Sequence, residues 1–391
     1  MFQIRTLNNI SDKGLSKFDR ADYNLGDDIA APEAILLRSH KLTVEESGDA
    51  LLAVGRAGAG VNNIPVAELS DRGVVVFNTP GANANAVKEL VMAGLLLSQR
   101  GIVQGIDYVN QLDADQKKSA LNAQVEAAKK QFKGSELNGR TLGIVGLGAI
   151  GSMVADMALG LGMRVLGYDP ALSVEAAWRL SSQVQRMENM AALLAKSDLV
   201  SLHVPALPET QGLINEEQLA LMQPGAVLLN FARGELVVPS AIRQAIEAGQ
   251  LSQYISDFPT PELLGINGVI ATPHLGASTD EAEENCAMMV ADQVIDFLAN
   301  GNIKNSVNFP AVNLERSQTG CRIAIVNRNV PRLLGSVLSI LADRNINVID
   351  MINKSRDELA YNLIDIEASP EEELADVLRA VDDVISVRLI P

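Results

Sequence analysis

Arg233, Glu262 and His274 are the residue types that oxidation of an alcohol by hydride transfer requires, and each follows a short apolar run. Histidine takes a hydroxyl proton, arginine clamps a carboxylate or a nascent carbonyl, and a neighbouring glutamate favours the imidazolium. Arg233 follows AVLLN, Asp257 and Glu262 follow LSQYIS, and His274 follows GVIATP. Ligands of open α/β sheets bind outside the carboxyl ends of the strands, so the spacing predicts that these groups converge. Singly, each type has a plainer reading. A histidine after proline commonly caps a loop, and an arginine in RGE is commonly a surface charge. His203, inside DLVSLHV, reads as structural or cofactor-proximal, and His40, in SHKL, as loop surface.

A second cluster is built of glycine. Gly146-Leu147-Gly148-Ala149-Ile150-Gly151 is GxGxxG, placed between the apolar run TLGIV and the helical pattern MVADMALGLG. Gly146 permits a tight turn, Gly148 lets backbone approach a pyrophosphate, and Gly151 lets helix and strand pack closely. The helix start, with Ala149 and Ile150, offers N–H groups and the positive dipole end to phosphates. Asp169, 18 residues beyond Gly151 in GYDP, is placed to accept hydrogen bonds from ribose hydroxyls and to repel a 2′-phosphate. The cofactor expected is therefore NAD rather than NADP.

These groups need a scaffold of strands and helices. AILL (34–37), LLAVG (51–55) and VVVF (74–77) form a first apolar series. TLGIV (141–145), MRVLGY (163–168), DLVSLHV (198–204), AVLLN (226–230), LSQYISDF (251–258) and GVIATP (268–273) form a second. Continuous apolar strands alternating with helical patterns predict parallel sheets covered on both faces. Helices are expected over about 84–111 and 278–300, the latter with acids in its first turns and Gly301 at its end. Residues 302–320 read as a polar linker. Beyond it, GCRIAIVN, a helix, INVIDMIN, LAYNLIDIEA, a helix and VISVRLI give a βαββαβ order, a ferredoxin-like sandwich.

Length and composition fit this. With 391 residues, two to three domains are expected. A formal charge of −16 argues against nucleic acid and anionic membrane surfaces as partners. No apolar run is long enough to span a bilayer, and the N-terminus shows no signal-peptide pattern. Cys286 and Cys321, 35 residues apart, predict neither a disulfide scaffold nor a zinc site, and three histidines are few for a metal centre. The expectation is a cytoplasmic protein without metal.

GLGAIG, Asp169, SLHVPALPETQGLIN, LLNFARGELV, DFPTPE and TPHLGAST together resemble the D-isomer-specific 2-hydroxyacid dehydrogenases. The resemblance implies a Rossmann-like NAD domain (99–278) inserted in a flavodoxin-like substrate domain (1–98 and 279–312). It implies that Arg233 binds the substrate, His274 is the acid/base and Glu262 its partner. Around NAD it places the glycine loop, Asp169, His203, Pro205, Thr210, Phe231, Ala232, Arg233, Asp257, His274, Leu275, Gly276 and Ala277, with Asp257 on the nicotinamide carboxamide. The family commonly reads a glutamate-proline pair after DVF, whereas Pro261 precedes Glu262 here. LLRSHKL, VGRAGAGVNNI and VFNTPGANANAVKELVMAGLL are similar to the branch that oxidises 3-phospho-D-glycerate to 3-phosphohydroxypyruvate, the entry to serine synthesis. There the substrate would meet Arg38, Ser39, Lys41, the loop Arg56-Ala57-Gly58-Ala59-Gly60, and Asn78. On a chain of charge −16 an anionic substrate demands a locally basic site, which Arg38, Lys41, Arg56 and Arg233 supply.

Residues 320–391 resemble an ACT regulatory domain. The resemblance places Asn327, Asn329, Arg332 and Asn347 at an effector site and implies a homodimer or homotetramer. Asn327 and Arg332 stand where the serine-sensitive pattern has histidine and glycine, so weak or absent serine inhibition is expected. Two alternatives remain open on sequence: another D-2-hydroxyacid dehydrogenase, acting on glycerate, lactate or 2-hydroxyglutarate, or an NAD-sensing corepressor-like interaction protein.

Overall fold

The computed structural model describes residues 1–317, 319–367 and 373–391, the Glu175 side chain excepted. The chain divides into two compact units, Met1–Asn83 with Asp280–Pro391, and Ala84–Thr279.

The first unit holds a five-stranded parallel sheet in the order Tyr23–Gly26, Phe2–Leu7, Ala34–Leu37, Ala53–Arg56, Val75–Phe77. Numbered along the chain this is 2-1-3-4-5, the flavodoxin-like order. Strands 34–37 and 75–77 are fully buried, as their unbroken apolar runs require. The helix Asp280–Asn300 lays Cys286, Ala287, Val290, Val294 and Phe297 on one face of this sheet. Gly55 makes that approach feasible, since a Cβ there would lie 2.6 Å from the Val290 side chain.

The same unit contains a four-stranded antiparallel sheet in the order Val348–Arg356, Leu359–Ile366, Cys321–Arg328, Val384–Ile390. It is the ferredoxin-like βαββαβ element. Helices Leu333–Asp343 and Glu373–Arg379 cover one face around Ile323, Ile325, Ile364 and Leu378. The other face does not stand apart. Ala324, Val326, Tyr361 and Leu363 share one core with Ile4, Leu36, Phe77, Phe297 and Phe309. The expected linker is accordingly no loose tether: Phe309, Val312 and Leu314 are buried, and bridges Phe77–Ser306 and Ile303–Val312 pin it. A contiguous apolar face must be covered, and this segment covers part of it.

The end of helix 280–300 shows how tightly the parts join. Its last carbonyls lack intrahelical donors. Arg388 donates to the carbonyls of Phe297 (2.6 Å) and Leu298 (3.2 Å), Arg316 to Ala299 (3.1 Å), and Arg322 to Asn300 (2.8 Å). The Tyr361 hydroxyl donates to Gly301 at 2.8 Å. Cations at a helix C-terminus also complement its dipole. Arg322 is itself fully buried and forms a bidentate pair with Asp365 at 2.6 and 2.9 Å.

The second unit is a seven-stranded parallel sheet in the order Val269–Ala271, Leu251–Ser256, Ala226–Asn230, Leu199–Leu202, Thr141–Val145, Arg164–Tyr168, Gln185–Arg186. Read from Thr141–Val145, this is the doubly wound Rossmann order, with its topological switch between 141–145 and 199–202. The expected helix over 84–111 breaks at Gly101 into Ala84–Gln99 and Ile102–Asn110, and the polar segment after it contains a helix at Lys118–Ala128. Helix 84–99 belongs to this unit rather than to the substrate-side segment expected for residues 1–98. Val87, Val91 and Leu95 sit in its core with Phe231 and Ile144. Gly94 allows the contact, since a Cβ there would lie 2.9 Å from the Phe231 ring.

Candidate active site

The glycine loop follows strand 141–145 at the switch point. Gly146 has φ of 93°, a conformation that L residues rarely adopt, and a Cβ there would fall 2.5 Å from the His203 carbonyl. A Cβ on Gly151 would fall 2.0 Å from the Gly146 carbonyl, whereas beyond Gly148 the space is open. Helix Ala149–Gly160 opens with Gly148 at its N-cap and no side-chain cap, leaving first-turn N–H groups to an anion. A dinucleotide pyrophosphate fits this cradle.

Asp169 ends the next strand. Its carboxylate accepts the N–H of Leu147 at 2.8 Å and of Ala171 at 2.9 Å, and so stands beside the loop. His203 stands across the switch point. One ring nitrogen lies 2.8 Å from the Ser201 hydroxyl, while Nδ1 is buried without a partner among the described residues. Burial pushes its pKa down to about 4, so the ring is neutral at physiological pH. The following turn is closed by Thr210, whose hydroxyl donates to the Pro205 carbonyl at 2.6 Å and accepts from Leu207 N–H at 2.8 Å.

The remaining groups sit on three neighbouring strands in register, Asn230 beside Ser256 beside Ala271. Arg233 lies four residues past Leu229. Its loop is braced by Asn230, fully buried, which donates to the Arg233 carbonyl at 2.8 Å and accepts from Ala232 N–H at 3.2 Å. Phe231 is buried. His274 adopts φ of 58° and stays exposed, its backbone N–H shared between the carbonyls of Asp257 and Thr272. Its ring packs on Phe258, centroids 4.9 Å apart and planes tilted by 59°. A Cβ on Gly234 would lie 3.3 Å from Phe258, so the arginine loop and the histidine flank one aromatic side chain.

Asp257 and Glu262 sit in contrasting surroundings. Asp257 is completely buried. Its Oδ1 accepts from the Thr272 hydroxyl (2.6 Å) and Leu275 N–H (2.7 Å), and its Oδ2 from Gly276 N–H (2.7 Å). It thus braces the His274 loop. Glu262 stands on the turn Pro261–Leu263, exposed to solvent. The rigid Pro259-Thr260-Pro261 segment carries it there. Asn230 and Phe258 belong to no catalytic motif legible in the sequence. Asn230 ends a buried strand, where an amide must find partners, and that was the available signal.

The first unit carries the substrate-side residues at its own strand ends. Arg56 donates through Nε to the Arg38 carbonyl at 3.1 Å and through a terminal nitrogen to the Gly60 carbonyl, shaping the loop 56–60. Ala57 N–H donates to the Leu37 carbonyl, and the Asn78 amide to the Ala59 carbonyl at 2.6 Å. Arg38 is paired with Glu283 and His40 with Glu46. Ser39 and Lys41 are exposed.

The expected effector residues are not gathered in one chain. Asn327 is buried and internally paired, accepting from the Asn362 amide at 2.7 Å and donating to the Arg328 carbonyl at 2.6 Å. Asn329 and Arg332 lie just beyond that strand end. Arg332 adopts the left-handed φ of 74°, at a position where glycine is unstrained. Asn347 precedes strand 348–356, whose start pairs with Ile366 and thereby with Cys321, the far end of the sheet.

The profile of the D-isomer specific 2-hydroxyacid dehydrogenase NAD binding domain matches residues 102–276. A D-3-phosphoglycerate dehydrogenase of Haemophilus influenzae is 33% identical over 369 residues, 90% of this chain and 85% of that protein. A D-3-phosphoglycerate dehydrogenase of Methanocaldococcus jannaschii is 33% identical over 83% of this chain but only 59% of its own length. Among solved structures, the NAD⁺-bound 3-phosphoglycerate dehydrogenase of Entamoeba histolytica superposes with a TM-score of 0.61 at 25% identity, over 78% of this chain and 98% of that one. Among the described residues no helix is long and apolar enough to cross a membrane. With its Rossmann strand order, its glycine cradle and relatives matched along nearly its whole length, the chain belongs to the D-isomer-specific 2-hydroxyacid dehydrogenase family.

Proposed function

We propose that the protein oxidises the C2 hydroxyl of 3-phospho-D-glycerate to 3-phosphohydroxypyruvate, with NAD as acceptor. The observation that carries the reading is the register of three strand ends, which sets Arg233, Phe258 and His274 on one edge of a sheet whose switch point holds the glycine cradle. NAD supplies the hydride acceptor when bound. His274 removes the hydroxyl proton at its imidazole, and its exposed ring is free to receive substrate. Arg233 holds the carboxylate and stabilises charge on the forming carbonyl oxygen. Glu262 approaches the imidazole and favours its cation as the proton arrives.

In this reading the unit 84–279 carries NAD, and residues 1–83 with the helix 280–300 carry the substrate phosphate through Arg38, Arg56 and Lys41. The ferredoxin-like element acts as an ACT-type regulatory domain, and the enzyme is a cytoplasmic homodimer or homotetramer. The relatives' names support the substrate. NADH formation with 3-phosphoglycerate, glycerate, D-lactate and D-2-hydroxyglutarate tests it, with the keto product trapped. Preference for an unphosphorylated acid would overturn the phosphoglycerate assignment.

A further inference from the structure

Arg38, at the end of strand 34–37, is ion-paired with Glu283 in the first turn of helix 280–300. Both side chains keep contact with solvent, with relative exposures of 32% and 42%. Arg56 approaches from the neighbouring strand, its Nε on the Arg38 carbonyl. One turn along the helix, the Cys286 thiol reports the same locale. Burial raises its pKa most, while Arg38 and Arg56 lower it and Glu283 raises it. Two guanidiniums and one carboxylate thus occupy one corner of the unit. Two further acids of this helix pair elsewhere, Glu284 with Lys13 and Asp292 with Lys17.

We infer that Glu283 tempers affinity for a phosphorylated substrate by occupying Arg38 in place of its phosphate. The inference rests on the proposed function for the identity of that substrate. A carboxylate offers a guanidinium the same bidentate, charge-assisted bonds that a phosphate offers, with one negative charge instead of nearly two. A phosphorylated substrate exchanges one anion for a stronger one on Arg38. An acid without phosphate has nothing to exchange and leaves the pair closed. The pair is solvent-exposed, so it weakens phosphate binding only modestly. Exposed pairs of about 0.2–1 kcal/mol correspond to a factor of about 1.4 to 5 in affinity.

The test is calorimetric titration of the full-length protein. Glu283→Gln removes the charge and keeps the size of the side chain, and should tighten 3-phosphoglycerate about 1.4- to 5-fold while leaving glycerate unchanged. In an Arg38→Met background the same change should have no effect on either ligand. Asp280→Asn, which removes a charge from the same helix turn without touching Arg38, should not reproduce the gain. Unchanged or weaker 3-phosphoglycerate binding in Glu283→Gln overturns the inference, as does an equal gain from Asp280→Asn. If the unmodified protein fails to oxidise 3-phosphoglycerate, the functional reading falls separately. Inorganic phosphate then serves as the probe: tighter binding in Glu283→Gln upholds the exchange, and equal affinity refutes it.

Discussion

The Leu147 N–H donates to the Asp169 carboxylate at 2.8 Å, tying the glycine loop to the end of the next strand. In the proposed reading that carboxylate faces the adenosine ribose, where its charge would oppose a 2′-phosphate. Asp169→Ala should lower the NAD-to-NADP ratio of kcat/KM by about tenfold or more, equivalent to ~1.4 kcal/mol. Initial rates with both cofactors check this. Comparable use of NADP by the unmodified protein would refute the role given to Asp169.

His274→Ala should reduce turnover by about 10²- to 10⁴-fold while NAD binding, read by fluorescence, barely changes. Glu262→Gln should reduce turnover through the same histidine, so the double change should cost little more than His274→Ala alone. Because Glu262 is exposed, its replacement should leave Tm nearly unchanged. Additive losses in kcat would separate the two residues.

His203 makes stability depend on pH. Its pKa is about 4 in the folded protein, below the ordinary 6.5. Between those values the unfolded chain binds the extra proton, so stability is full above about 6.5 and falls as pH drops toward 4. The loss has an upper limit of about 3 kcal/mol. Chemical denaturation across this window should show the slope, and His203→Gln should flatten it. An identical slope in the variant would remove His203 as the cause.

Arg322 and Asp365 form a fully buried pair. Arg322→Met strands the carboxylate and frees the Asn300, Leu314 and Glu315 carbonyls, and should cost about 3–5 kcal/mol. Burial pushes the Asp365 pKa up, but hydrogen bonds from Arg322 and Ser317 and the nearby positive charge outweigh it, and the net shift is downward. Adding Asp365→Leu to Arg322→Met should recover part of the stability, measured by urea denaturation. No recovery would mean that the carbonyl contacts dominate.

Arg332 carries left-handed backbone that costs an L residue about 1–2 kcal/mol. Arg332→Gly should gain a few tenths to about 1 kcal/mol, after the greater unfolded-state freedom of glycine is counted. In activity assays the unmodified enzyme should respond weakly or not at all to serine, and Arg332→Gly with Asn327→His should strengthen any response. Inhibition of the unmodified enzyme by micromolar serine would contradict this.

Much of the site is legible in sequence because its signals are local. GxGxxG between a strand and a helix, and Asp169 after the next strand, need only near neighbours in the chain. What escapes reading depends on tertiary contacts. Strands Phe2–Leu7 and Tyr23–Gly26 lie at one side of their sheet with polar residues interspersed, so they lack the unbroken apolar run of Ala34–Leu37. The buried carboxylate of Asp257 looks like any strand-end acid until the folded loop 272–276 supplies its donors. Phe258 is one phenylalanine among eight, and only the left-handed turn at His274 brings the imidazole onto it. The polar letters of 302–317 conceal Phe309, Val312 and Leu314, each buried by a sheet that begins only afterwards.

The cap on helix 280–300 bears on how the chain can be cut. In sequence the C-terminal βαββαβ reads as a detachable cassette, yet Arg388, Arg322 and Tyr361 from its strands serve the helix that carries Glu283 at its opposite end. A chain truncated before Cys321 would leave the carbonyls of Phe297, Leu298, Asn300 and Gly301 without those donors. It would also uncover Phe309 and Phe297. Proteolysis or gene deletion at that border would therefore yield a frayed helix and an adhesive wall rather than an unregulated but intact enzyme. Met1–Asn83 and Asp280–Pro391 thus stand or fall together, whatever seams the sequence displays.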